Sequence, residues 1–144
     1  MSETTAAEPA RIVVGVDGSE SALAALRWAV RQAKLAGDRV EAVTAWRYPT
    51  SAGWGPTAID VDFEAIGQQI MSDALAAVDG LEPGVTVSAQ VVEGYPAEVL
   101  LNASKGADLL VVGRRGHSGF TSALIGSVSL HCVLHSHCPV LVRE

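Results

Sequence analysis

Cysteine is scarce in this chain of 144 residues: there are two, Cys132 and Cys138, and they form no CxxC pair. That number excludes a disulfide framework and points to reduced thiols in a cytoplasmic setting. Long apolar runs are missing too, and none approaches the roughly 20 residues a membrane-spanning helix needs. The opening MSETTAAEPA has neither a basic start nor an apolar stretch, so no signal peptide is expected and residues 1–10 read as a disordered tail. Positive charge is in deficit, with 10 Lys and Arg against 16 Asp and Glu and a net charge of −6. Such a chain is a poor general binder of nucleic acid or of anionic membrane, since both need a positive field. There is no GxxxxGK loop ending in Ser or Thr, and no residue pair that resembles a nucleophile poised beside a base. Internal repeats and low-complexity segments are absent as well.

What is present is apolar and periodic. Hydrophobic residues make up 49% of the chain, enough for one well-buried domain over residues 11–144. Arg11 to Asp17 is a β-rich run that reads as the first strand. Ser19 or Ser21 can cap a helix carrying Leu23, Leu26, Val30 and Ala33 on one face, and Gly37 ends it. Arg39 to Trp46 is a second strand. Arg47 to Asp60, with two prolines and two glycines, is an aperiodic loop of the length usually reserved for function. Val61 to Val78 follows as a helix with the stripe Phe63, Ile66, Ile70, Leu75 and Val78. Val85 to Val92 is a third strand, and Pro96 opens a short helix that closes at Gly106. Leu109 to Val112 reads as a strand buried on both faces. Ser122 to Ser136 reads as a helix, and Pro139 to Arg143 as the last strand.

The alternation of strand and helix implies an α/β fold: a doubly wound, Rossmann-like parallel sheet with helices on both faces. Right-handed crossovers give the strand order 3-2-1-4-5. Ligands in such sheets bind outside the carboxyl ends of the strands, where the order reverses, here between strands 1 and 4. Two features noted separately fall on that crevice. One is Asp17, at the end of strand 1. The other is the segment after strand 4, where Gly113, Arg114, Arg115, Gly116, Gly126 and Ser127 form a glycine-rich turn with basic residues. Glycines let backbone approach a ligand, and Ser127 stands at the expected start of a helix whose free N–H groups attract anions. The segment reads as a phosphate cradle, on a basic island of an otherwise acidic chain. Arg114 joins it as a candidate phosphate contact, although a solvated cation is the commoner fate of such a residue; the same holds for Arg115 and His117.

The pattern Gly113-x2-Gly116-x9-Gly126-Ser127, with an early VGVDGS and a late CPVLV, resembles the ATP-binding class of the universal stress protein family over nearly the whole of Arg11 to Arg143. The resemblance implies ATP as ligand, with Mg²⁺ bridging its phosphates, in a stress-response or signalling module whose nucleotide state tunes contacts with a protein partner. It implies Val16 and Asp17 against ribose and adenine, and backbone of Ala45 on the adenine edge. It places Gly113 along the ribose and α-phosphate, and Gly116, Gly126, Ser127 and Val128 on the phosphates. It also implies a homodimer paired through the terminal strand Val140, Leu141 and Val142, a bare apolar edge that invites pairing. Hydrolysis is expected to be slow at most. The alternative is an adenylyl-transferring or ATP-pyrophosphatase enzyme of the same architecture, but its glycine loop belongs after strand 1, where Gly15-Val16-Asp17-Gly18-Ser19 does not match it.

Two further clusters call for bland readings. His131, Cys132, His135, His137 and Cys138 lack the spacing of a zinc motif and a companion carboxylate, so no metal site is expected and His135 reads as a helix-end cation. Trp46, Tyr48 and Trp54 could pack over a nucleotide, though core or lid packing is the usual fate of such aromatics.

Overall fold

The computed structural model of the protein describes residues 9–49, 61–114 and 125–144. In chain order these form β1 (Arg11–Gly15), α1 (Glu20–Ala36), β2 (Arg39–Trp46), α2 (Phe63–Val78), β3 (Val87–Glu93), α3 (Pro96–Ala103), β4 (Leu109–Gly113), α4 (Ser127–His135) and β5 (Val140–Arg143). All strand pairs are parallel and the order is β3-β2-β1-β4-β5. That is the expected doubly wound sheet, with its reversal between β1 and β4.

The central strands are apolar because each of their side chains is buried on one face or the other. Along β1, Ile12 and Val14 point to the core under α1 and α2, while Val13 points to the core under α3 and α4. In β4, Val111 joins the first core and Leu110 and Val112 join the second. The register pairs Val13 with Leu110 and Val14 with Val111, so both strands are in phase and no polar group is forced inward.

α1 begins at Ser19, whose hydroxyl accepts from the Ala22 N–H at 3.2 Å, and ends at Gly37, in the left-handed region at φ 74°. Between these caps Ala22, Ala25, Leu26, Ala29, Val30 and Ala33 are buried. α3 begins with Pro96 in its first turn, as its sequence predicts.

Four boundaries or faces differ from the sequence expectation. β1 closes at Gly15, two residues before Asp17, because the backbone leaves β4 there; Val16 still donates to the Val43 carbonyl at 2.8 Å. β3 starts at Val87, two residues later than expected, although the Thr86 carbonyl already accepts from the Val40 N–H of β2 at 2.9 Å. In α2 the face against the sheet is Gly67, Met71, Ala74 and Val78, while Ile66 is 49% exposed. The helix settles on its small residues: a β-carbon on Gly67 would stand 3.3 Å from Trp46 Cβ and Val91 Cγ1. Close approach outweighs side-chain size at that contact. Finally, α4 starts at Ser127, with Ile125 and Gly126 outside the helix; Ser122 lies outside the described residues. So do residues 1–8, Trp54 with nearly all of the 47–60 loop, Arg115, Gly116 and His117.

Candidate functional site

A cleft of about 240 Å³ opens at the carboxyl ends of β1 and β4, on the face carrying α3 and α4. It lies near the lower end of the roughly 300–1,000 Å³ typical of small-molecule sites. Its floor is made by strand ends, among them Gly15, Val43, Ala45 and Val112. Pro96 and Leu100 of α3 form one wall, and Gly126 to Ser129 form the other. Of the residues singled out from sequence, Val16, Asp17, Ala45, Gly113, Gly126, Ser127 and Val128 all line it. Segments nearly a hundred positions apart therefore meet in one place.

Three helix N-termini border this cleft; that of α3 opens on Pro96, which has no N–H, with Glu98 in its first turn, and those of α1 and α4 differ. That of α1 is occupied: Ser19 caps it, and the Asp17 carboxylate accepts from the Ser19 N–H at 2.9 Å and from its hydroxyl at 2.5 Å. Glu20 adds an acid to the first turn. At α4, by contrast, there is no side-chain cap and no acid in the first turn. A helix leaves its leading N–H groups without an intrahelical acceptor, and here those groups belong to Ser127, Val128 and Ser129, each of which lines the cleft. The positive end of the α4 dipole thus meets a concave, mostly apolar space, which is the arrangement that holds an anion.

Three details revise the roles expected of single residues. Gly126 donates its N–H to the Arg114 carbonyl at 2.7 Å, so its contribution to the cleft is a bare Cα and not a free donor. Gly113 is a glycine for packing reasons, since a β-carbon there would come 2.7 Å from the Ser21 carbonyl carbon and 2.8 Å from the Ala22 nitrogen. Arg114 does not line the cleft; its guanidinium pairs with Glu144 at 3.3 Å.

Ser129 is a participant that sequence reading passed over. Its hydroxyl donates to the Gly113 carbonyl, which ties the first turn of α4 to the end of β4. The available signal was a second hydroxyl in Gly126-Ser127-Val128-Ser129. Leu100 was also missed as a wall residue, though it follows Pro96 by one helical turn and so shares its face.

A second groove, about 560 Å³ and more polar, runs beside α3 past Arg11, Glu41 and Gln90. Its arginine is committed: Arg11 donates to Glu41 at 2.9 Å and to the carbonyls of Ala103 and Lys105 at 2.9 and 2.7 Å. With Glu41, Glu93 and Glu98 along it, this groove is ill suited to an anion. Among the described residues, no three His, Cys, Asp or Glu side chains come together as metal ligands. His131 and His135 lie on the exposed side of α4 with ring centroids 4.5 Å apart. Burial pushes the Cys132 thiol beneath that helix up to about 11. Trp46 and Tyr48 pack edge-on, and Tyr48 meets Phe63 in the same way, away from the cleft. No helix among the described residues is long and apolar enough to cross a membrane.

Comparison with known proteins converges on one family. The model of the universal stress protein family matches residues 9–143. Universal stress protein Rv2623 of Mycobacterium tuberculosis is 34% identical over 138 residues, covering 91% of this chain and 46% of that protein. The chain thus spans about half the length of the curated relatives it matches. Among solved structures, a universal stress protein in complex with cAMP is 30% identical, with a TM-score of 0.64 over 94% of this chain and 97% of that one. The universal stress protein of Archaeoglobus fulgidus in complex with dAMP shares the fold at 23% identity, with a TM-score of 0.68 over 94% and 98% of the two chains. The sheet order, the crevice at its reversal and the matched length agree, and the chain belongs to the universal stress protein family.

Proposed function

We propose that this protein binds ATP in the cleft between β1 and β4 and serves as a stress-response or signalling module whose nucleotide state alters its contacts with a protein partner. The observation that carries the reading is the uncapped N-terminus of α4 opening on a concave apolar space. The phosphates lie against the N–H groups of Ser127 and Val128 and the Ser127 hydroxyl, with the Gly126 Cα leaving room for them; Gly116, outside the described residues, is proposed as a further phosphate contact. Hydrogen bonds to a charged phosphate contribute roughly 1.5–3 kcal/mol each. Val16, Asp17 and Ala45 meet the nucleoside, and Gly113 lies along the ribose. Adenine nucleotides in related structures, cAMP in one and dAMP in another, support the ligand class.

Mg²⁺ fits the donor set in one way. Asp17 is the cleft's one acid among the described residues, and one of its oxygens already accepts two bonds from Ser19. Asp17 would be the one acid near an ion brought in with the nucleotide, and the ion would supply neutralising charge to the phosphates. The site needs affinity and not rapid chemistry, and hydrolysis is slow at most.

The protein works as a cytoplasmic homodimer joined through Val140, Leu141 and Val142 of β5, an edge strand of the sheet. Native mass spectrometry of freshly purified protein, followed by calorimetry with ATP, tests the ligand. Co-purified ATP or ADP, or micromolar binding, is the expected result. No binding of any adenine nucleotide overturns the reading, and turnover above roughly 1 s⁻¹ would make the protein an enzyme instead.

A further inference from the structure

Arg114 stands where three connections cross. Its N–H donates to the Arg143 carbonyl at 2.7 Å, its carbonyl accepts from Gly126 at 2.7 Å, and its guanidinium meets the Glu144 carboxylate at 3.3 Å. The first ties it to the end of β5, and the second to the residue that caps α4 at the wall of the cleft. The ion pair is loose. A guanidinium has five donors in a planar fork, and among the described residues its one acidic partner is a side chain 77% exposed. Glu144 is itself shared, because Arg143 donates to its main-chain oxygen at 3.1 Å. The backbone of Arg114 is thus bonded to the end of α4, while its guanidinium lies outside the cleft on a single solvated acid.

We infer that Glu144 is a tethered competitor for Arg114: with the cleft empty it occupies the guanidinium, and a polyphosphate draws that guanidinium off. A phosphate group carries more charge than a carboxylate and accepts the same bidentate fork, so the exchange runs toward the ligand. Adenosine has no charge to offer and leaves the pair intact. The device reports specifically on phosphate and delivers its signal to the end of β5. It rests on the reading that places phosphates at α4.

The test is calorimetry on the full chain with ATP and with adenosine, for the wild type, Glu144→Gln, Arg114→Gln and the double variant. Removing an exposed partner is expected to tighten ATP about two- to fivefold in Glu144→Gln and to leave adenosine unchanged. Arg114→Gln weakens ATP by a similar factor, and the double variant matches Arg114→Gln alone, because the glutamate acts only through the arginine. Unaltered ATP affinity in Glu144→Gln, an equal gain for adenosine, or a gain that persists without Arg114 overturns the inference while ATP binding itself stands. Absence of ATP binding in the wild type overturns the inference together with the phosphate site. Both positions are exposed or partly so, and matching circular dichroism melts confirm that the variants fold.

Discussion

Gly113 and Ser21 stand so close that any side chain at Gly113 would enter the backbone of α1, 2.7 Å from the Ser21 carbonyl carbon. The contact brings the end of β4 against the first turn of α1 at the edge of the cleft. Gly113→Ala should therefore push the helix off the sheet. Overpacking of this kind costs about 1–3 kcal/mol. Urea denaturation should show a lower midpoint at unchanged slope, and an unshifted midpoint would mean that the two segments yield freely.

Gly126→Asp acts on the ligand and not on the fold. Gly126 is extended, at φ −67° and ψ 157°, which any residue adopts, so the backbone accepts the change. The new carboxylate would lie at the open end of α4 and occupy the place proposed for a phosphate. ATP binding should fall below detection by calorimetry while the dimer stays folded. Undiminished affinity would move the phosphates elsewhere.

The proposed dimer exposes itself to a single charge. Leu134 is 67% exposed and Leu130 44% exposed on α4, a helix that contacts the edge strand β5. Leu134→Glu should convert the dimer to a folded monomer in analytical ultracentrifugation, with little change in secondary structure. A dimer of unchanged affinity would show that another surface pairs.

Thr44 offers a gain in stability. It is 1% exposed in β2, and its hydroxyl has no hydrogen-bond partner among the described residues. Thr44→Val keeps the branched shape and removes the unpaired group, so it should stabilise the fold by about 1–2 kcal/mol. A lower thermal midpoint would reveal a partner for that hydroxyl.

Cys132 and Cys138 should be told apart by reagent and by alkali. Cys132 is fully buried and Cys138 is not. Ellman's reagent is expected to modify Cys138 in the native protein and Cys132 only after denaturation. The Cys132 thiol is raised from 9.0 to about 11 because burial disfavours its thiolate. The folded state then holds its proton more tightly than the unfolded state. That contribution is complete below pH 9 and is lost as pH climbs from 9 through about 11. The wild type should therefore lose thermal stability faster than Cys132→Ala across that window, and parallel curves would argue against burial of the thiol.

Most of the architecture was legible in the sequence because it rests on local rules. The strand order follows from crossover handedness. α1 shows its ends through Ser19 and Gly37, and the position of the crevice follows from the reversal between β1 and β4. What was hidden depends on distance between remote segments. No periodicity announces that Gly67 is the contact point of α2, because a missing side chain carries no apolar signal. Nor does a glycine state all its reasons: Gly113 lines the cleft as expected, and a β-carbon there would also meet α1. Arg114 showed its charge but not its partner, which lies thirty residues on at Glu144.

The two faces of the sheet are unequally covered. α1 and α2 run 17 and 16 residues over one side, while α3 and α4 run 8 and 9 over the other, with the cleft beside their first turns. α3 and α4 also pack against each other, so the short covering is a joined pair and not two separate pieces. A nucleotide bound as proposed would fill the gap beside their first turns as a missing side chain would, and would add the layer's third point of support.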